Sequence, residues 1–202
     1  MPFWSTNFQN QEEVLKDPKR NFRFFITITG INTENGGAMI WYAKDIQKPT
    51  FTLAEASHEY LNHTYYYPGK VTWNPIEMKM VDPGGDPEVA ATLAGIMQGA
   101  GYALPVTPDS DNLTSMSKQR AAGAIGTVKI TQVDSEGKPL ETWTLWNAFA
   151  QEINFGGTLA YGNDELTEYT LKVRYDWAQL ETVSEGSSIV VPNENLFFDI
   201  SR

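Results

Sequence analysis

ELTEYTLKVRYDWA, residues 165–178, is the longest clean alternation in the chain. Thr167, Tyr169, Leu171, Val173, Tyr175 and Trp177 fall on one side, and Glu168, Thr170, Lys172, Arg174 and Asp176 on the other. Successive side chains of a strand leave opposite faces, so the run predicts one strand with an apolar face on a core and a charged face in water. Such a strand needs partners. NFRFFITITG (21–30) repeats the pattern, with Phe22, Phe24, Ile26 and Ile28 against Arg23, Thr27 and Thr29, and is stopped by Gly30. INTENGG then supplies a turn, and AMIWYA (38–43) reads as the returning strand. GTVKITQV and PLETWTLW flank DSEGK, a hairpin with Gly137 in its turn. NAFAQEINFGG (147–157) reads as an irregular connector.

The middle of the chain predicts a second kind of hairpin. Pro49 in KDIQKPTFTLAEA marks an edge or a break. EYLNHTYYY (59–67) leads to Pro68-Gly69, a strong turn signal, so YYYPG is expected at the tip of a long hairpin. In KVTWNPIEMKMVD, Val71 and Trp73 share one face, whereas Ile76, Met78 and Met80 follow a shifted phase. A bulge at Asn74-Pro75 would account for the shift. DPGGDP opens the clearest helix: Asp86 caps it, Pro87 takes the first turn, and Val89, Leu93, Ile96, Met97 and Ala100 share one face before Gly99 and Gly101. A Pro, Asp and Ser loop (105–117) leads to KQRAAGAIG, whose form the pattern leaves undecided. No internal repeat is visible. The fold class expected is mainly β, an antiparallel β-sandwich or barrel with one flanking helix and long hairpin and loop extensions. The organisation expected is an N-terminal arm (1–20), a β domain (21–178) carrying a helical and loop insertion at about 82–126, and a C-terminal extension (179–202).

The 202 residues carry 15 Lys and Arg against 25 Asp and Glu, a formal charge of −10, and no cysteine. Disulfides and thiolate chemistry are thereby excluded. The charge argues against gripping nucleic acid, because phosphate contacts require cations. The opening residues show no basic region followed by an apolar run, and no segment nears ~18 consecutive apolar residues, so neither a secretory leader nor a membrane helix is expected.

HEYLNH (58–63) holds both histidines and resembles a zinc-protease signature with one residue too many. On a helix His58 and His63 would sit about 140° apart instead of about 40°. On one strand an odd separation sends them to opposite faces, so a metal site would need a loop to bend them together. PDSDN offers Asp109 and Asp111 as first ligands of a calcium loop, then fails with Leu113 and Thr114 at the later positions. No P-loop, G-x-G-x-x-G or G-x-S-x-G occurs, so no enzyme, metal, cofactor or small-molecule ligand is expected. Tyr65, Tyr66 and Tyr67 must place a ring on each face of any strand, and exposed tyrosines commonly form contact surfaces.

FRFFITITG, YAKDIQKPTF, YYYPGKVTWNPIEMKMVDP and WTLWNAFAQEINFGGTLAYGNDELTEYTLKVRYDWA, in that order, resemble the tail tube proteins of contractile-tailed bacteriophages over residues 20–178. The resemblance implies a β-sandwich or barrel flanked by a helix, whose sheets join into hexameric rings. It also implies rings stacked into a hollow tube, with sheath protein outside and tape-measure protein and DNA passing inside, in a virion tail assembled in the host cytoplasm. Type VI secretion tube proteins are built similarly. The insertion at 82–126 and the tail 179–202 depart from the pattern. Under this reading the stretch His58 to Lys70 carries assembly contacts, through His58, Tyr60, Tyr65, Tyr66, Tyr67 and Lys70. An acidic wall also suits passing DNA, although many soluble proteins are acidic. A tube initiator or terminal ring is a close alternative. A carbohydrate-binding β-sandwich, with Tyr and Trp stacked on sugar, is an alternative of another class.

Overall fold

The computed structural model describes residues 18–30, 43–82, 85, 88–103, 115–162 and 164–182. Among them run β1 (Phe24–Ile28), β2 (Ala43–Ile46), β3 (Phe51–Tyr60), β4 (His63–Trp73), β5 (Ile76–Val81), α1 (Val89–Gly99) and α2 (Lys118–Ile125). Then follow β6 (Val128–Val133), β7 (Pro139–Trp146), β8 (Phe149–Asn154), β9 (Glu168–Arg174) and β10 (Trp177–Thr182). The strands form a four-stranded sheet in the order β1-β6-β7-β10, a second in the order β2-β5-β9-β8, and a separate two-stranded ribbon of β3 and β4. Every pairing is antiparallel. The mainly β expectation holds. AMIWYA lies outside the described residues except for Ala43, where β2 begins.

The two larger sheets share one core. Ile26, Ile28, Val128, Ile130, Leu145 and Ala178 come from the first sheet, and Ile76, Met78, Met80, Tyr169, Leu171 and Val173 from the second. These are the inward positions of the alternating runs, and each fully buried aliphatic side chain contributes roughly 1.5–3 kcal/mol. Helix α1 adds Val89, Leu93 and Ile96, one stripe at helical spacing. It begins later than the sequence suggested. Glu88 occupies the cap position without a side-chain hydrogen bond, while the expected cap Asp86 lies outside the described residues. The undecided segment is a second helix, α2, capped by Ser117, whose hydroxyl accepts from the Arg120 amide at 3.3 Å. Both helices pack against β8. That strand replaces the expected irregular connector. Its alternation is hidden by a register shift between Ala150 and Glu152.

Three sequence-level joints also resolve differently. The run 165–178 is two strands. It breaks at Tyr175-Asp176, where the chain leaves the second sheet for the first, so Tyr175 stays inside and Trp177 emerges, 48% exposed. Asn74-Pro75 is likewise a change of sheet rather than a bulge, since the chain there passes from the ribbon into β5. The hairpin across DSEGK forms as read, with Gly137 at φ 80° and the Asp134 carboxylate accepting from the Glu136 and Lys138 amides at 2.8 Å each.

The Asp176 corner is tied from three directions. Its backbone N–H donates to the Trp146 carbonyl at 3.1 Å. Its carboxylate accepts from Asn147 Nδ2 at 2.8 Å and from Lys118 Nζ at 2.6 and 2.8 Å. The Lys118 and Asn147 hydrogen bonds hold the carboxyl below its ordinary range. Asn147, at φ 53°, is itself the opposite corner, where β7 hands over to β8. Trp146 and Trp177 stack over the junction with centroids 6.4 Å apart and an interplanar angle of 19°.

Two further contacts close the body. The end of β1 lies directly on the α2–β6 link. Gly30 donates to the Ile125 carbonyl at 2.8 Å, Thr29 to the Thr127 carbonyl at 3.1 Å, and the Thr29 hydroxyl accepts from the Thr127 amide at 2.8 Å. A Cβ at Gly30 would fall on the Ile125 and Ala124 backbone. On β7, Glu141 is 8% exposed and pairs with Lys19. It also accepts from Lys48 Nζ at 2.9 Å and Trp143 Nε1 at 2.6 Å. Lys48 also donates to Gln132 Oε1 at 2.9 Å, so the connector between β2 and β3 is clasped to the first sheet.

Replacing Gly30 with alanine forces backbone atoms apart and is expected to destabilise the chain by about 1–3 kcal/mol or more, read as a lower urea midpoint with unchanged slope. Burial raises the Glu141 pKa, but hydrogen bonds from Lys19, Lys48 and Trp143 more than offset it, lowering the value from 4.5 to about 2. A depressed carboxyl stabilises the fold fully above the unfolded value and ceases to do so as pH falls through the folded one. The displacement from 4.5 to about 2 corresponds to about 3 kcal/mol. Urea titrations of Glu141→Gln and parent should therefore differ by about that much at pH 7, and the difference should shrink between pH 4.5 and 2.

Candidate functional site

The ribbon of β3 and β4 is the part of the chain the fold leaves unexplained. Every residue of β3 and all of β4 except Trp73 are exposed. Strands of this length extend about 30 Å at about 3.3 Å per residue. An isolated two-stranded hairpin is marginal in water at best, yet this one carries Leu53, Tyr60, Leu61, Tyr65, Tyr66, Tyr67 and Val71 uncovered. Among the described residues its attachment is at the foot. Trp73 meets Phe51 edge-on at 5.2 Å and Tyr175 of the body at 5.9 Å. The Asn74 amide donates to the Thr50 carbonyl at 2.9 Å, and the Asn74 side chain donates to the Thr50 hydroxyl at 3.1 Å.

The tip is not where Pro68-Gly69 suggested. Tyr60 pairs with His63, so the two-residue turn is Leu61-Asn62, and YYYPG lies in the returning strand. Pro68 faces Glu55 beside a register shift between Leu53 and Glu55. In a two-stranded ribbon both strands are edges, so a proline without an N–H is tolerated there. Gly69 takes the irregular position because a Cβ would meet the Ala54 carbonyl oxygen at 2.9 Å. Leu61 turns the corner at φ 52° with its side chain 87% exposed. A left-handed leucine in solvent stores roughly 1–3 kcal/mol of strain.

The register also sorts the candidate residues by face. His58 stands opposite Tyr65, Tyr60 opposite His63 and Ala56 opposite Tyr67. Directly opposed residues share a face, so His58, Tyr60, His63, Tyr65 and Tyr67 lie together while Tyr66, opposite Ser57, lies on the other side with Glu55 and Glu59. The turn therefore does what one strand or one helix could not, and brings both histidines to the same face. His63 packs edge-on against Tyr65 at 5.5 Å. Among the described residues no set of three His, Asp or Glu side chains is placed to hold a metal ion. The three tyrosines are exposed, with Tyr65 and Tyr67 on one face and Tyr66 on the other. Lys70 sits at the register shift, among exposed residues.

Beside the foot, the wall of β4, helix α2 and strands β8 and β9 enclose a groove of about 750 Å³. Tyr175 forms part of it and is 3% exposed. Burial raises its phenol to about 12, and the nearby Thr50 backbone pulls the other way without making a hydrogen bond of normal geometry. No sequence signal marks the groove, because its lining residues come from four separate segments. No helix among the described residues is long and apolar enough to cross a membrane.

No protein-family model matches this sequence, and no curated protein matches it. Solved structures do match the fold. A chain of the anti-feeding prophage baseplate is 15% identical, with 82% of this chain and 96% of that one covered and a TM-score of 0.57. A chain of the sheath/tube terminator of PVC, an extracellular contractile injection system in its extended state, is 12% identical, with 83% and 99% covered and a TM-score of 0.58. A chain of the PVC sheath-tube complex is 14% identical, with 82% and 93% covered and a TM-score of 0.55. The chain described here thus has the fold found in tube, terminator and baseplate assemblies of contractile injection systems.

Proposed function

We propose that this chain is a structural subunit of the inner tube of a contractile tail, forming hexameric rings that stack into a hollow conduit. The observation that carries the proposal is the arm. It is a two-stranded ribbon whose apolar residues have no cover among the described residues, on a fold similar to chains of sheath-tube and terminator assemblies. Tyrosine provides large contact area at low entropic cost, so an arm bearing Tyr60, Tyr65, Tyr66 and Tyr67 suits a subunit that must hold its neighbours. In this reading the arm residues, with His58 and Lys70, make the contacts within or between rings. Sheath protein surrounds the tube, and tape-measure protein and DNA pass through it. The formal charge of −10 supports a wall that phosphate does not stick to. A structural rather than catalytic role follows from the same likeness. The proteins similar in fold include tube, terminator and baseplate components, and the number of copies per particle separates a main tube subunit from an initiator or a terminal ring.

The test is replacement of Tyr65, Tyr66 and Tyr67 together with serine. The variant is expected to keep its β circular dichroism and lose polymerisation, or to require at least about tenfold more protein to polymerise, because buried tyrosines are common hot spots. Electron microscopy and light scattering across a concentration series read this out. Tubes of normal length at the parent's concentration would refute the role given to the arm.

A further inference from the structure

The groove at the foot of the arm is incomplete in two chemically distinct ways. Its walls are apolar, from Val71 and Trp73 on β4, Ala121 on α2 and Phe149 on β8. Arg174, also lining the groove, has no carboxylate partner among the described residues, whereas the neighbouring Lys118 is committed to Asp176. An occupant that completes the groove therefore brings an apolar side chain and a carboxylate close together.

The tip of the arm carries that set. Leu61 projects at 87% exposure, Tyr60 at 63%, and Asn62 occupies the turn. Glu59 precedes them and has no cationic partner among the described residues. The arm cannot fill its own groove, because the groove lies at its foot and the tip is about 30 Å away at about 3.3 Å per residue. We propose that the groove receives the arm tip of a second copy, with Leu61 against the apolar walls and Glu59 on Arg174. Such a contact joins unlike surfaces head to tail, and a contact of this kind repeats from copy to copy. The proposal rests on the arm being an assembly element and names its receptor.

A chain without cysteine allows a direct test. Leu61→Cys and Ala121→Cys chains are mixed, assembled and oxidised. The expected result is a disulfide-linked dimer in the mixture, absent when Lys129→Cys, on exposed β6 surface, replaces Ala121→Cys. In parallel, Arg174→Glu and Glu59→Arg should each abolish assembly, and the two together in one chain should restore it at the parent's concentration. Arg174→Glu chains that assemble like the parent overturn the proposal, as does a double variant that fails to recover. Tubes that form normally but show no Leu61–Ala121 link also overturn it, and leave the tube reading standing with the arm seated elsewhere. A parent chain that remains a single subunit at every concentration overturns both.

Discussion

Asp176 is the residue on which the architecture turns. A sandwich whose chain crosses between sheets must expose backbone groups at each crossing, and here two crossings are placed side by side so that each satisfies the other. The Asp176 amide takes the Trp146 carbonyl, and its carboxylate takes the Asn147 side chain at the opposite corner and the Lys118 ammonium from α2. One side chain thus fixes where β7 leaves the first sheet, where β9 leaves the second, and how the helical segment lies against both. The Trp146–Trp177 stack covers the junction from outside. The two stretches WTLWNAF and RYDWA, about 30 residues apart in sequence, are halves of this one corner.

Body and arm follow different rules. The body buries its alternating aliphatic residues, clasps Glu141 with three donors and brings backbones into contact at Gly30. The arm buries almost nothing and keeps a left-handed leucine at its end. Between them, Trp73, Thr50, Asn74 and Tyr175 form a narrow base, and the Lys48–Glu141 contact holds the approach to β3. An exposed element attached so firmly at one end is aimed as well as displayed.

Much of the body was legible in the sequence, because a period of two reports burial directly. Ile26 and Ile28, Ile76, Met78 and Met80, and Tyr169, Leu171 and Val173 all point inward as their spacing says. What the pattern hid was the joints. Alternation runs unbroken through Tyr175-Asp176, since a corner that reverses direction need not disturb the order of apolar residues. In β8 a register shift erased the period and left the strand looking like loop. The arm misled for another reason. Pro68-Gly69 is the stronger local turn signal, but pairing along the whole ribbon prefers a register in which Leu61-Asn62 bends and the Pro-Gly pair absorbs an irregularity. Local preference lost to the sum of many cross-strand contacts. The groove was not legible at all, because proximity among β4, α2, β8 and β9 exists only after folding.

The bare ribbon has a thermodynamic consequence. Because two strands without a covering layer are held together weakly, part of the free energy that orders the arm is supplied only when something lies against it. Two free subunits meeting would each have to order an arm with little gained in return, whereas a subunit arriving at an existing end would find its contacts already formed. In the proposed tube role such a chain assembles only above a threshold concentration and after a lag, and an existing end removes the lag.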